Sequence, residues 1–133
     1  MRIVVLLALA LVSACSGGGT STASPGTGPS SQLTVTVTDG DTVRVQTLTC
    51  DPTGGDHPDA AAACAVLDRL GAAAFAPVPA DQACTEIYGG DQTATVTGVW
   101  RGEPVDASYD RSNGCQIARW DAIVDVLQVR GGV

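Results

Sequence analysis

The chain has no lysine, a single histidine and few aromatic residues. Its seven arginines face fourteen aspartates and glutamates, so the formal net charge is -7 at pH 7. A surface of this sign argues against nucleic-acid binding, which needs a basic patch. The sequence also lacks the GxSxG, P-loop, HExxH and dinucleotide-binding motifs. We therefore expect no enzymatic activity, no bound cofactor and no nucleic-acid partner.

The sequence also lacks an apolar run long enough to cross a bilayer. The run Ile3–Leu11 follows a positive residue and is typical of the hydrophobic region of a signal peptide. It leads into VSAC, Val12–Cys15, which resembles the lipobox of bacterial lipoproteins, where the cysteine is lipidated. We predict a signal peptide over residues 1–14 and lipidation of Cys15. The alternative is an ordinary signal peptide cleaved near Ala14, which leaves an odd thiol.

A segment rich in glycine, serine, threonine and proline follows Cys15. Because such a segment cannot bury apolar surface, we predict a flexible tether over residues 15–31. A diacylglyceryl group carries two acyl chains, which is enough for stable membrane anchoring. We therefore expect an extracellular protein that is exported and anchored to the outer face of the cell membrane. The folded domain then occupies residues 32–133, a size that benefits from covalent cross-links.

Four cysteines remain when Cys15 is set aside. They are Cys50, Cys64, Cys84 and Cys115. An even number in a small exported domain indicates disulfides, although four cysteines permit three pairings and the spacing does not choose among them. A zinc site is the alternative, but the sequence has no CxxC pair, and His57 lies beside a proline in a turn-like loop. We expect no metal site and no chemical role for His57.

The first half of the folded domain has the pattern of a hairpin followed by a helix. The segments Leu33–Thr38 and Thr42–Thr49 alternate apolar and polar residues around a DGD turn, which predicts two antiparallel strands. The alanine-rich segment Asp59–Leu70 predicts a helix, with Asp56 as its cap. In that helix Cys64 faces inward, within reach of the end of the second strand.

The second half predicts further strands. They are Thr93–Trp100 and Pro104–Tyr109, joined by a short turn. The tail Trp120–Val129 is ambiguous, because its valines favour a strand while Asp121 and Ala122 permit a short helix. We predict a strand there. The fold class is therefore α+β, an antiparallel sheet of about five strands with one or two helices on one face and two disulfides.

Six short motifs occur along the chain in a fixed order. They are LTC (Leu48–Cys50), AAAC (Ala61–Cys64), ACTEIY (Ala83–Tyr88), VTGVWRG (Val96–Gly102), SYDR (Ser108–Arg111) and SNGC (Ser112–Cys115). This order and spacing resembles the Streptomyces subtilisin inhibitor family of secreted serine-protease inhibitors. The resemblance extends over about residues 33–115, most of the folded domain. It implies the disulfide pairs Cys50–Cys64 and Cys84–Cys115.

The resemblance also implies a reactive loop that begins at Cys84. Thr85 follows it, and Glu86 takes the position of the residue that enters the protease's specificity pocket. The scissile bond is then Glu86–Ile87, with Tyr88 on the leaving side. The alternative for Glu86 is an ordinary solvated acid of an exposed loop.

The resemblance also implies a residue that supports the reactive loop from the side facing the domain. By resemblance, Asn113 braces the reactive loop, and the alternative is a plain turn asparagine. Besides the acidic residue at the pocket position and the lipid anchor, the chain departs from the family in three places. Gly89–Gly90 replaces an Asp-Pro pair and is expected to loosen the loop, the segment before SNGC is shorter, and the tail differs.

The resemblance predicts an extracellular serine-type endopeptidase inhibitor that acts through a rigid, disulfide-anchored, substrate-like loop. An acidic pocket residue suits a glutamate-specific or a tolerant subtilisin-like protease better than trypsin, whose pocket contains a carboxylate. A homodimer through the sheet face is a further expectation from the resemblance. The alternative function is a non-inhibitory cell-envelope binding lipoprotein that retains the fold. Inhibition of a metalloprotease through another surface is untested by the sequence.

Overall fold

The structure, a computed structural model, describes residues 29–128. The predicted signal peptide, Cys15 and the tether up to residue 28 lie outside these residues, as does the end of the tail from residue 129. The strands are β1 (Ser31–Asp39), β2 (Thr42–Cys50), β3 (Thr93–Trp100) and β4 (Glu103–Tyr109). The helices are α1 (Ala60–Leu70), α2 (Gly114–Ala122) and α3 (Val124–Leu127), and a 3₁₀ turn (Gly71–Phe75) follows α1.

The four strands form one antiparallel sheet in the order β2-β1-β3-β4. β1 and β2 make the predicted hairpin, and β3 returns beside β1 with Val35 opposite Val96. Alternate residues of β1 are buried, as the period of two requires: Leu33, Val35 and Val37 are each at most 2% exposed. The sheet therefore has one face in the core and one face in solvent.

The helices cover the buried face of the sheet. α1 packs against β2, α3 against β1 and α2 against β4. The largest fully buried side chains on these helices and at the α2–α3 junction are Leu67, Trp120, Ile123 and Leu127. The prediction of an α+β fold with an antiparallel sheet and helices on one face is confirmed.

Helix α1 begins at a different aspartate from the one predicted. Asp59 is the N-cap, and its side chain accepts a hydrogen bond from the amide of Ala62 at 3.1 Å. The prediction of Asp56 as the cap is wrong. Its carboxylate accepts hydrogen bonds from the amide and the hydroxyl of Thr47 instead, and these bonds lower the pKa of Asp56. Asp56 thus connects the loop that precedes α1 to strand β2 through Thr47.

The tail is helical, so the prediction of a strand over residues 120–129 is wrong for the residues that the structure describes. Trp120, Ile123, Val126 and Leu127 are all buried. Their spacing of three and four residues matches the helical period, and this period outweighs the β-propensity of the valines. The tail therefore adds no fifth strand to the four that the described residues form.

His57 lies in a loop, as expected, but it is only 6% exposed. Its Nδ1 atom accepts a hydrogen bond from the amide of Asp59 at 3.0 Å. Its Nε2 atom donates to the carbonyl oxygen of Val126 at 2.7 Å. His57 thus ties the start of α1 to α3, which is a structural role.

Tyr109 at the end of β4 is buried and anchors the 3₁₀ turn. Its hydroxyl donates to the carbonyl oxygen of Ala74 at 2.7 Å, and Arg119 of α2 lies over its ring at 4.5 Å. Burial raises the pKa of Tyr109 from 10.0 to about 12, and the nearby Arg119 opposes this shift. The folded protein therefore holds the phenolic proton more tightly than the unfolded chain does.

We expect alkaline pH to weaken the fold through Tyr109. Because its pKa is raised, its stabilising contribution is complete below pH 10 and is lost as the pH rises towards 12. The free energy of unfolding should fall by about 2–3 kcal/mol across this window. Urea unfolding between pH 9 and pH 12 measures it, with Tyr109→Phe as the control. If the free energy of unfolding fell equally with pH in the wild type and in Tyr109→Phe, the prediction would be contradicted.

Candidate functional site

An exposed loop without helix or strand joins the 3₁₀ turn to β3. Its segment Thr85–Tyr88 is exposed throughout, and the side chains of Ile87 and Tyr88 are each 62% exposed. Large apolar side chains are more often buried. Two of them side by side in solvent, next to Glu86, make this loop a candidate binding segment.

A disulfide holds the amino-terminal side of the loop. Cys84 is bonded to Cys115 in the first turn of α2, with their Cα atoms 5.3 Å apart. The other disulfide joins Cys50 at the end of β2 to Cys64 of α1, with a Cα separation of 5.8 Å. Both predicted pairs are confirmed.

A backbone hydrogen bond holds the next loop residue. The amide of Gly114 donates to the carbonyl oxygen of Thr85 at 2.9 Å. A methyl group on Gly114 would overlap the Thr85 hydroxyl oxygen, so this close approach needs a glycine. Gly114 was not predicted as a site residue, because its only signal in the sequence is its position inside SNGC.

Asn113, the predicted brace, lies directly beside this contact. It is the N-cap of α2, and its side-chain oxygen accepts a hydrogen bond from the amide of Gln116 at 2.9 Å. The two residues after it, Gly114 and Cys115, make the contacts to the loop described above. Asn113 therefore fixes the helix end that carries these contacts.

The carboxyl-terminal side of the loop is held at Gly89. Its amide donates to the carbonyl oxygen of Arg111 at 2.7 Å, and Nε of Arg111 donates back to the carbonyl oxygen of Gly89 at 3.1 Å. A Cβ atom on Gly89 would lie 2.9 Å from the side chain of Ile117. Gly89 was expected to loosen the loop, yet its missing side chain is what allows these contacts.

Within residues 29–128, no group of three or more histidine, cysteine, aspartate or glutamate side chains could hold a metal ion. In the same range, no helix is long and apolar enough to span a membrane. The exposed segment Thr85–Tyr88 and the contacts that hold it on both sides are the candidate site.

Comparison with known proteins gives the family. The model of the subtilisin inhibitor-like family matches residues 29–113. The chain belongs to the subtilisin inhibitor-like family. The match covers the sheet, α1 and the exposed loop of this inhibitor-like domain, and it ends at Asn113, just before α2.

Individual relatives agree with this assignment. Subtilisin inhibitor-like protein 1 of Streptomyces cacaoi is 38% identical over 90 residues, which are 65% of this chain and 81% of the relative. Subtilisin inhibitor-like protein 4 of Streptomyces lavendulae is 44% identical over 78 residues, 55% of this chain and 64% of the relative.

A solved structure is also similar to this subtilisin inhibitor-like chain. Streptomyces caespitosus sermetstatin, crystallised in complex with Bacillus licheniformis subtilisin, aligns with a TM-score of 0.50 and 27% sequence identity. The alignment covers 75% of this chain and 98% of sermetstatin. The two proteins therefore share the fold over nearly all of sermetstatin.

Proposed function

We propose that this protein inhibits extracellular serine-type endopeptidases and that the exposed segment Thr85–Tyr88 is its reactive loop. The observation that carries the proposal is an exposed segment held on both sides, by Cys115 and Gly114 before the Glu86–Ile87 bond and by Arg111 after it. Membership of the subtilisin inhibitor-like family and the similarity to an inhibitor crystallised with subtilisin support it.

The mechanism follows from this rigidity. A protease binds an extended segment by main-chain hydrogen bonds, as a sheet edge accepts a strand. Little conformational entropy is lost when the segment is already ordered, so binding is tight. The serine of the protease can attack the carbonyl carbon of Glu86, with its oxygen in the oxyanion hole. The domain contributes no catalytic group of its own.

The identity of residue 86 sets the expected target class. The Glu86 side chain is exposed and free to enter a specificity pocket. A carboxylate in the pocket of trypsin would lie buried against a second carboxylate, which is strongly unfavourable. We therefore propose a glutamate-specific or a tolerant subtilisin-like protease as the partner.

Inhibition constants test the proposal. The purified protein is titrated against a glutamate-specific serine endopeptidase, subtilisin and trypsin, with both disulfides verified by mass spectrometry. We expect sub-micromolar inhibition of at least one of the first two enzymes and weak or no inhibition of trypsin. No inhibition of any of the three would contradict the proposal and favour a binding lipoprotein that retains the fold.

Replacement of Gly114 by alanine should weaken inhibition more than stability. The added methyl group overlaps the Thr85 hydroxyl oxygen and lies 3.3 Å from the Thr85 Cβ atom, so Thr85 must turn its side chain and shift against the amide that holds it. We expect the inhibition constant to rise about tenfold, the usual effect of losing one well-placed hydrogen bond. Gly40→Ala is the control, because its added methyl group meets nothing within 4 Å and the backbone strain at its positive φ falls on the β1–β2 turn, outside the loop. A Gly114→Ala protein that inhibits as well as Gly40→Ala would contradict this role.

Anchoring at the membrane is part of the proposal. The VSAC sequence at Cys15 and the tether after it support a lipoprotein on the outer face of the cell membrane. Cys15→Ala should release the protein from the membrane fraction into the medium. Equal membrane retention of both forms would contradict lipid anchoring through Cys15.

A homodimer through the outer face of the sheet is also proposed. Val43 and Val45 of β2 are 59% and 61% exposed. The register places Val45, Thr36, Thr95 and Ser108 in one uncharged row across the four strands. In a chain of net charge -7, this row offers two copies an uncharged contact, beside the exposed Asp106 of β4 on the same face. Sedimentation should show a dimer that Val45→Arg dissociates, and a wild-type monomer at micromolar concentration would contradict it.

A further inference from the structure

Arg111 lies two residues after the end of β4, and its side chain is held against α2. Its side chain is only 11% exposed. The guanidinium carbon lies 5.7 Å from the centre of the Trp120 ring, and one terminal nitrogen lies 3.5 Å from the carboxylate of Asp121. The ring and the carboxylate, both on α2, thus fix the direction of the side chain.

This fixed side chain points at the loop. Nε of Arg111 donates to the carbonyl oxygen of Gly89, and the Arg111 carbonyl oxygen accepts from the Gly89 amide. Both polar groups of the Gly89 backbone are therefore bound to one residue. A Cβ atom at Gly89 would lie 3.2 Å from Nε, so the pair is closely packed. Gly89 directly follows Ile87 and Tyr88, the leaving side of the proposed scissile bond.

We propose that Arg111 is the positioning residue for the leaving side of the reactive loop. It keeps the segment that begins at Ile87 in place after the Glu86–Ile87 bond has been cut, so that the bond can be remade. This inference rests on the proposed inhibitory function. It assigns to Arg111 a role that complements the Cys84–Cys115 disulfide, which holds the other end.

The proposed role of Arg111 affects the balance between hydrolysis of the cut loop and re-formation of its peptide bond. The serine oxygen of the target bonds to the carbonyl carbon of Glu86, the carbon–nitrogen bond breaks, and the Ile87 nitrogen leaves as an amine with a proton from the catalytic histidine. Water can then hydrolyse the ester, which releases the main-chain carboxylate of Glu86 and returns the serine hydroxyl. Alternatively, the Ile87 amine attacks the ester, restores the peptide bond and returns the serine hydroxyl. A fixed amine favours this second path through its high effective concentration.

The test compares two arginines that each lie over a tryptophan ring and pair with an aspartate, with side chains 11% (Arg111) and 53% (Arg101) exposed. Arg101 lies over Trp100 at 4.9 Å and pairs with Asp68 at 2.6 Å, but it lies at the β3–β4 turn, away from the loop. Arg111→Ala and Arg101→Ala are each mixed with the protease that the wild type inhibits. Cleavage of Glu86–Ile87 is followed by mass spectrometry, and the melting temperature of each protein is recorded.

We expect Arg111→Ala to be cleaved about tenfold faster than the wild type, the effect of losing a hydrogen bond from a charged donor. Arg101→Ala should be cleaved at the wild-type rate even if its melting temperature falls. Equal cleavage of Arg111→Ala and Arg101→Ala would overturn the role of Arg111. A wild type that inhibits no protease would instead contradict the proposed function itself.

A second measurement avoids any folding defect of the variant. Amide hydrogen exchange of the uncut wild-type protein should show strong protection at Gly89, because its amide is bound to the Arg111 carbonyl oxygen. The amides of Ile87 and Tyr88 lie in the exposed segment and serve as the internal comparison. Exchange at Gly89 as fast as at these two residues would overturn the inference.

Discussion

Replacing Glu86 with lysine should redirect the inhibitor to trypsin. A lysine side chain pairs with the carboxylate in the trypsin pocket, while glutamate leaves two like charges buried together. An unpaired buried charge costs about 3–5 kcal/mol, so the inhibition constant for trypsin should fall by about a thousandfold. Inhibition of a glutamate-specific endopeptidase should be lost to a similar extent.

The chain offers a matched control for this exchange. Glu86 and Glu103 are its two glutamates, and Glu103 is exposed at the start of β4. Glu103→Lys changes the net charge by the same amount but lies outside the loop. If Glu103→Lys gained the same inhibition of trypsin, long-range charge rather than the pocket residue would explain the effect.

Removing the Cys84–Cys115 disulfide should convert the inhibitor into a substrate. The bond closes a segment with a sequence separation of 31, and its loss in Cys84→Ala/Cys115→Ala should cost about 3–4 kcal/mol of unfolding free energy. Ordering a free residue costs about 1–2 kcal/mol, so releasing Thr85 and Glu86 should weaken inhibition by about a hundredfold. Cleavage at Glu86–Ile87 should then run to completion.

The second disulfide separates loop rigidity from overall stability. Cys50–Cys64 has a sequence separation of 14 and joins β2 to α1, away from the loop. Cys50→Ala/Cys64→Ala should lose about 3 kcal/mol of stability and keep its inhibition constant at temperatures where it is folded. Equal inhibition by the two double variants would show that the disulfide at Cys84 has no special role.

Much of the fold could be predicted from local pattern. The alternation of Leu33, Val35 and Val37 identifies β1, because one face of the strand is buried and the other is not. The tail could not be assigned in this way. Its valines favour a strand, and the helical spacing of Trp120 and Ile123 is evident only once both are known to be buried.

The site could be predicted only in part. The exposed segment and the disulfide at Cys84 follow from the resemblance to the family, since spacing alone left three pairings open. The contact between Gly89 and Arg111 joins residues that are 22 positions apart, so no local sequence pattern predicts it. The Gly89–Gly90 pair and the segment before SNGC, where the resemblance predicts departures from the family, both adjoin this contact.

The most direct test of a loop held at both ends is the equilibrium at the Glu86–Ile87 bond. Intact protein and protein already cut at this bond are each incubated with a catalytic amount of the inhibited protease, and mass spectrometry follows the fraction of intact chain. We expect both samples to reach the same mixture, with intact chain re-formed from the cut protein. Complete cleavage of the intact sample, with no resynthesis in the other, would contradict it.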